Sequence, residues 1–170
     1  MRRWLIALIA VVVAGLVAAP PASATDAPIG HLGDTLRVDT DALIADVTVS
    51  SVDRVEPPPG FGYQRGGNPV KGFGFPEGGV FRADVAVHTI KAPTPFVMAT
   101  TFNFNGVTPY GDAYTSRPSD APDQLDVALT NAPAGAVVRG GVYWDVQRDP
   151  VSNVVLRDRK TGYHLAQWNL

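Results

Sequence analysis

The chain contains no cysteine, which excludes disulfide bonds, thiol catalysis and cysteine-ligated metal sites. It also has no Asn-x-Ser/Thr sequence, no Gly-x-Ser-x-Gly element and no glycine-rich loop that leads into a helix. Stability must therefore come from packing. No motif assigns the chain a reaction or a cofactor.

Positive charge is scarce as well. The 14 lysines and arginines are outnumbered by 16 acidic residues, which gives a net charge of −2. The basic residues cluster only at Arg157, Arg159 and Lys160. Because nucleic-acid binding needs a broad positive surface, the composition argues against a nucleic-acid partner.

Residues 1–24 have the three parts of a secretory signal peptide. Met1-Arg2-Arg3 is positive, Trp4 to Ala19 is apolar and uncharged, and Ala22-Ser23-Ala24 is a small-residue cleavage site. The apolar run is shorter than the roughly twenty residues that span a bilayer, so a retained membrane anchor is the less favoured alternative. We expect a secreted mature chain of residues 25–170, with no stable membrane span after cleavage.

Residues 25–170 predict one all-β domain. With 17 glycines and 15 prolines in the chain, short alternating apolar and polar runs are separated by turn residues. Counting the runs gives about eight strands with no helical period between them, which predicts an antiparallel β-sandwich.

The clearest strand is Val137 to Gln147. One predicted face carries Val138, Val142, Trp144 and Val146, and the other carries Arg139, Tyr143, Asp145 and Gln147. Val80 to Ile90 alternates in the same way, with Phe81, Ala83, Val85 and Val87 on one face. We therefore expect Trp144 to fill the space between two sheets.

Further local features can be read from the sequence. A change of apolar register predicts a β-bulge near Ser50-Ser51. Phe96 to Phe104 predicts a strand, and Asn105-Gly106 predicts the hairpin turn that ends it. Arg117 to Asp126 is expected to be a polar connection, with strands following at 153–157 and 163–170.

The least regular segment is 56–79, in which three prolines precede eight glycines. Two interpretations stay open: a solvent loop whose aromatic residues fold partly back on the sandwich, or an adaptable binding surface. The second interpretation makes five residues a candidate binding loop: Phe61, Tyr63, Arg65, Phe73 and Phe75.

No metal motif is present among the histidines, His31, His88 and His164. His88 shares a predicted outer face with Asp84, where an ordinary surface pair is favoured over a catalytic one. Two groups of aspartates, Asp34, Asp39, Asp41 and Asp46, and Asp120, Asp123 and Asp126, could form a weak calcium site or cap turns. No metal or other cofactor is expected.

Several short motifs occur in an order that is similar to a known family. They are Ala27-Pro-Ile-Gly30 before Leu32-Gly33, Val80-Phe81, Thr94-Pro95, Phe102-Asn103, Tyr114, Pro122-Asp123, Pro133-x-Gly135, Gly141 to Val146, and Trp168. The chain resembles the mycobacterial secreted immunogenic antigens of the MPT/MPB sixty-three type over nearly the whole mature region. The resemblance implies an immunoglobulin-like β-sandwich and an exported antigen without agreed catalytic residues. Segment 56–79 departs from the family pattern in length and glycine content.

The expected function is that of a secreted, immunogenic, non-enzymatic module that binds a protein or cell-surface partner. A structural cell-envelope protein without a specific ligand is the main alternative, and an uncharacterised hydrolase is a third. The sequence does not indicate an oligomeric state.

Overall fold

The computed structural model describes residues 27–61 and 79–170. Within these ranges the chain forms nine strands and two short helices, packed as two sheets face to face. The elements are β1 (Ile29–His31), β2 (Thr35–Asp39), β3 (Ile44–Val55), β4 (Gly79–Lys91), α1 (Val97–Thr101), β5 (Phe102–Val107), β6 (Ala113–Thr115), α2 (Leu125–Leu129), β7 (Val137–Val146), β8 (Asn153–Asp158) and β9 (His164–Asn169). The predicted all-β sandwich is confirmed. Residues 1–24, predicted to be a signal peptide, lie outside the described ranges.

The two sheets differ in size and in pairing. The five-stranded sheet has the order β1-β9-β8-β5-β6, and the four-stranded sheet has the order β2-β3-β4-β7. All neighbouring strands are antiparallel except β1 and β9, which run parallel. The sequence did not predict β1, because three residues are too few to show an alternation.

The core lies between the sheets and contains the face of β7 that was predicted to be buried. Trp144 is completely buried, and Val142 and Val146 are 3% and 2% exposed. The facing residues of β4 and of the five-stranded sheet belong to the same cluster, which also contains Trp168. Successive side chains of a strand point to opposite faces, so every second residue is buried between the sheets and contributes to the stability of the fold.

The bulge in β3 is also confirmed. The pairing of β3 with β4 shifts between Val49 and Ser51, so that Ser50 is the extra residue. Its hydroxyl donates to the backbone carbonyl of Asp84 at 3.2 Å, and the Ser51 hydroxyl donates to the Asp84 carboxylate at 3.1 Å. The bulge thus brings two hydroxyls to one residue of β4.

Two local predictions are wrong. The region predicted as a strand from Phe96 to Phe104 forms α1 first and becomes β5 only at Phe102. Asn105 and Gly106 lie inside β5, and the chain turns instead around Gly111, whose φ is +90°. A side chain at Gly106 would meet Val151 at 2.8 Å and Trp144 at 3.1 Å. This glycine therefore provides space for core packing and does not form a turn.

The polar connection predicted after Arg117 leads into a helix, α2, that the sequence pattern does not predict. In α2, Leu125 and Leu129 are four residues apart and completely buried. One apolar pair in a five-residue helix gives too little periodicity to predict it. The helix anchors the preceding segment beside β7.

Candidate functional site

The structure buries one residue of the predicted binding loop. Phe61 is 2% exposed, and its ring lies edge-on to Tyr143 with the centroids 6.4 Å apart. The Arg117 guanidinium lies 5.1 Å from the centroid of the Phe61 ring. The burial of Phe61 agrees with the interpretation in which aromatic residues of this segment fold back on the sandwich. Tyr63, Arg65, Phe73 and Phe75 lie outside the described residues, so a binding role for them stays a prediction.

Phe61 is part of a small second core on the outer face of the four-stranded sheet. This cluster contains Val80, Ala121 and Tyr143, with Val55 packed against it. The segment that covers it is tied to the strand below, since the Arg117 amide donates to the Tyr143 carbonyl at 2.9 Å. Tyr143, predicted to lie on the outer face, lies there but is only 5% exposed for this reason.

Next to this cluster, Arg82 on β4 forms the centre of a charged network. Its guanidinium lies 2.6 Å from a carboxylate oxygen of Asp84 and 2.6 Å from one of Asp123. It also donates from Nε to the Tyr143 hydroxyl at 3.2 Å. That hydroxyl in turn donates to the other Asp123 oxygen at 2.7 Å. Arg82, Asp123 and Tyr143 each contact the other two, and Asp84 is also held by the Ser51 hydroxyl, so the network is rigid.

The network shifts the acidities of its members. Burial raises the pKa of the Tyr143 hydroxyl, and the hydrogen bond to Asp123 raises it further. Burial opposes ionisation of Asp123, but the bonds from Tyr143 and Arg82 outweigh it and hold the pKa of this carboxyl below its ordinary value. Burial also opposes the charge of Arg82, yet its bonds to Asp84, Asp123 and Tyr143 leave its pKa raised. The network thus places one guanidinium between two carboxylates.

Two glycines of β7 permit this arrangement. A side chain at Gly140 would meet the Asp123 carbonyl at 2.6 Å and the Leu125 backbone at 2.8 Å. At Gly141 it would meet Nε of Arg82 at 2.7 Å, and the Gly141 amide donates to the Asp123 carbonyl at 2.7 Å. Because these two positions have no side chains, the segment before α2 can approach the edge of β7 and pair with it. This pairing places Asp123 within reach of Arg82.

A shallow groove of about 280 Å³ opens beside the network on the same sheet face. Its lining includes Ser50, Ala86 and Arg139 together with Arg82 and its two carboxylates. Arg139 is exposed and has no hydrogen-bond or ion-pair partner among residues 27–61 and 79–170. The groove is therefore lined by Arg82, whose charge is paired, and by Arg139, which has no partner among the described residues.

Comparison with known proteins gives little beyond this geometry. No family model matches the chain, and no curated protein matches it. A solved structure, the crystal structure of the yjhA protein from Bacillus subtilis, is similar with a TM-score of 0.42 and 17% identity, covering 78% of this chain and 86% of that one. At this level of similarity the match carries no argument about function.

The predicted pairing of His88 with Asp84 is wrong. Asp84 is engaged by Arg82, whereas Nδ1 of His88 lies 3.9 Å from the carboxylate of Asp46. Asp46 in turn accepts a hydrogen bond from Arg37 at 2.8 Å. His88 therefore lies beside the surface ion pair of Arg37 and Asp46.

Several of the aspartates considered for calcium have other contacts. Asp123 pairs with Arg82, and the Asp126 carboxylate lies 3.3 Å from the Arg159 guanidinium. The Asp34 carboxylate accepts a hydrogen bond from the His31 backbone amide at 2.7 Å. In the part of the chain that the structure describes, no three His, Asp or Glu residues are placed to hold a metal ion. The same part contains no helix long and apolar enough to cross a bilayer.

The sequence identified only part of the site. Arg82, Asp84 and Arg139 were placed on outer faces by their alternation, but their meeting with Asp123 was not predicted. Asp123 is 41 residues from Arg82 in the chain. The one available signal was the pair Gly140-Gly141 in the middle of an otherwise regular strand, which marks close approach of another backbone.

Proposed function

We propose that this protein is a secreted, non-enzymatic binding module whose contact surface is the groove beside Arg82 on the outer face of the four-stranded sheet. The observation that carries the proposal is the exposed guanidinium of Arg139, which is unpaired among the described residues and lies next to a network whose charges are already paired. A planar guanidinium with unused N–H donors can form two parallel hydrogen bonds to a carboxylate on a partner.

The rigidity of the groove supports binding. Arg82, Asp84, Asp123 and Tyr143 are fixed by mutual hydrogen bonds, so a partner would order few side chains on this surface. The exposed carboxylates of the network would repel an acidic group placed away from Arg139. The groove therefore favours a protein surface with one carboxylate facing Arg139 and cationic or hydroxyl groups around it.

The test is capture of partners from cell-envelope and host-cell extracts with the purified protein and two charge-reversal variants. Arg139→Glu alters the groove, and Arg148→Glu is the matched control, because Arg148 is an exposed arginine outside it. We expect the same partner to be recovered with the wild type and with R148E, and its affinity to fall by about tenfold or more with R139E. Equal capture by R139E would refute the groove, and repeated recovery of no partner would favour the structural-protein alternative.

Export is proposed on the signal-like residues 1–24. N-terminal sequencing of the protein recovered from the culture medium should begin at Thr25. Retention of the intact chain in the membrane fraction would instead support the anchor alternative.

A further inference from the structure

The outer face of the five-stranded sheet is rich in amide side chains. Phe102 and Phe104 of β5 are buried in the core, so their neighbours on the strand point outward. The same alternation applies to β8 and β9, where Val154, Leu156, Ala166 and Trp168 are the core residues. Five outward residues form what we term the amide face: Asn103, Asn105, Asn153, Gln167 and Asn169. They include four of the chain's six asparagines.

Strand pairing makes these amides neighbours across the sheet. Asn169 of β9 pairs with Asn153 of β8. In the adjacent row, Gln167 and Asn105 lie on either side of Val155. Val155 is only 5% exposed although it is on the outer side, so the longer side chains around it form a shallow trough.

Among the described strand residues, the amide face carries no carboxylate. The other residues that share it are Thr115, the apolar Ile29, Val107, Ala113 and Val155, and, at its border, the basic residues His31, Arg157 and His164. Ile29 is 61% exposed and adds an apolar surface at the β1 edge. The other outer face, on the four-stranded sheet, carries Arg37, Asp46, Arg82 and Asp84. The two outer faces thus suit different ligands.

Most of these amides have unused hydrogen-bonding capacity. Gln167 donates to Asn169 at 2.8 Å. The side chains of Asn103, Asn105 and Asn153 make no hydrogen bond within residues 27–61 and 79–170. Asn105 is only 7% exposed, and its Oδ1 is buried without a partner. The described residues therefore leave the hydrogen-bonding capacity of this amide oxygen unused.

An exposed tyrosine lies beyond each end of the face. Tyr110, 81% exposed, is in the turn that follows β5, and Tyr163, 73% exposed, is in the turn between β8 and β9. These turns are at opposite ends of the strands because β5 and β8 are antiparallel. Aromatic rings pack on the apolar faces of sugar rings, and amides both donate to and accept from sugar hydroxyls.

We propose that the amide face binds a neutral polysaccharide. A chain of uncharged, hydroxyl-rich sugar rings fits a trough of amides with a tyrosine at either end, whereas an anionic polymer would use only the bordering basic residues. This site is on the opposite side of the sandwich from Arg139, so the proposal goes beyond the protein-binding groove and can fail or hold independently of it.

The test is affinity electrophoresis of the purified protein in native gels that contain dextran, mannan, the anionic polymer polygalacturonate, or no polymer. We expect dextran or mannan to retard the wild type and polygalacturonate to leave its mobility unchanged. Asn103→Ala and Asn153→Ala should each weaken retardation by about fivefold, as expected for the loss of one or two hydrogen bonds. Gln147→Ala, an exposed amide next to β7, is the matched control and should bind like the wild type.

Arg139→Glu should also leave retardation unchanged, which separates this site from the groove. Circular dichroism and thermal midpoints identify any variant that fails to fold. Tyr163→Ala, in an exposed turn, then tests the same face without touching the sheet and should weaken retardation by a similar factor.

Three results would overturn the proposal. One is no retardation by either neutral polymer, and another is retardation that Asn103→Ala, Asn153→Ala and Tyr163→Ala all leave intact. The third is sedimentation showing a dimer that Asn103→Ala dissociates, because the face would then be covered by a second copy of the chain.

Discussion

The indole nitrogen of Trp144, on β7 of the four-stranded sheet, donates a hydrogen bond to the carbonyl oxygen of Phe104, on β5 of the five-stranded sheet, at 3.0 Å. Trp144 is completely buried and Phe104 is 1% exposed. The bond therefore joins the two sheets through the core, where no water competes for either group. Trp144 contributes both packing volume and a polar contact between the layers.

Replacement of Trp144 by alanine should be severely destabilising. The substitution leaves a large cavity and an unpaired Phe104 carbonyl, and we expect a loss of about 3–5 kcal/mol in the free energy of unfolding. Trp144→Phe keeps most of the apolar volume but not the donor, so its cost should be smaller, about 1–3 kcal/mol. Urea denaturation followed by tyrosine fluorescence or circular dichroism measures both.

Tyr110→Ala is the control for these variants, since Tyr110 is an aromatic residue that is 81% exposed. Its free energy of unfolding should stay within about 0.5 kcal/mol of the wild type. An unchanged denaturation midpoint for Trp144→Ala would show that Trp144 faces solvent and that the register of β7 is shifted by one residue.

Gly106 should tolerate substitution much less well than Gly111. Asparagine suits a turn position with positive φ, and nothing lies within 4 Å of a side chain built at Gly111. At Gly106 the same side chain would collide with Val151 and Trp144, so we expect Gly106→Asn to cost about 2–3 kcal/mol and Gly111→Asn under about 1 kcal/mol. Thermal unfolding of both variants decides the matter. A larger loss of stability in Gly111→Asn than in Gly106→Asn would instead support the predicted hairpin turn at Asn105-Gly106.

These two glycines show what the sequence could and could not predict. Alternation identified the buried face of β7, the bulge at Ser50 and the sandwich, because each depends on a period of two within one segment. Asn105-Gly106 has the composition of a turn, but the Trp144 ring from the other sheet decides its structure. Local composition carries no information about that contact.

The candidate site was less predictable for the same reason. Arg82 and Asp84 lie on β4 and Tyr143 lies on β7, whereas Asp123 lies just before α2, a short helix that has almost no pattern of its own. The amide face could be assembled only from the pairing of β5, β8 and β9, since its members occur as isolated polar residues in the sequence. Both surfaces depend on register, which is a tertiary property.

Asp123 should make the protein less stable in acid. Its folded pKa is lowered from the ordinary value of 3.8, because the hydrogen bonds from Tyr143 and Arg82 outweigh the effect of burial. A lowered pKa gives stability that is fully present above the unfolded value and is lost as the pH falls through the folded one. Unfolding midpoints measured from pH 6 downward should therefore decline below about pH 4 less steeply in Asp123→Asn than in the wild type.

Asp41→Asn is the matched control for this experiment. Asp41 is exposed and makes no hydrogen bond or ion pair within the described ranges, so its replacement should leave the acid slope as it is in the wild type. Identical slopes for Asp123→Asn and the wild type would mean that the Arg82–Asp123 contact is not formed in solution.

Arg82 should not be replaceable by lysine. Its guanidinium contacts Asp84, Asp123 and Tyr143 in three different directions. The Arg82 side chain is 24% exposed. A lysine ammonium is a compact charge on a flexible stem and cannot reach all three, which leaves a partly buried carboxylate poorly paired. We expect Arg82→Lys to lower the free energy of unfolding by about 1–3 kcal/mol.

Arg37→Lys provides the comparison, because Arg37 also pairs with a carboxylate through two hydrogen bonds, to Asp46 at 2.8 and 3.1 Å, but its side chain is 58% exposed. Water can replace the lost contact there, so this change should be much milder. Urea denaturation of the two variants at neutral pH measures the difference. Equal effects would show that the Arg82 network is no more than a surface ion pair, and the groove beside it would then lack the rigid wall on which binding at Arg139 depends.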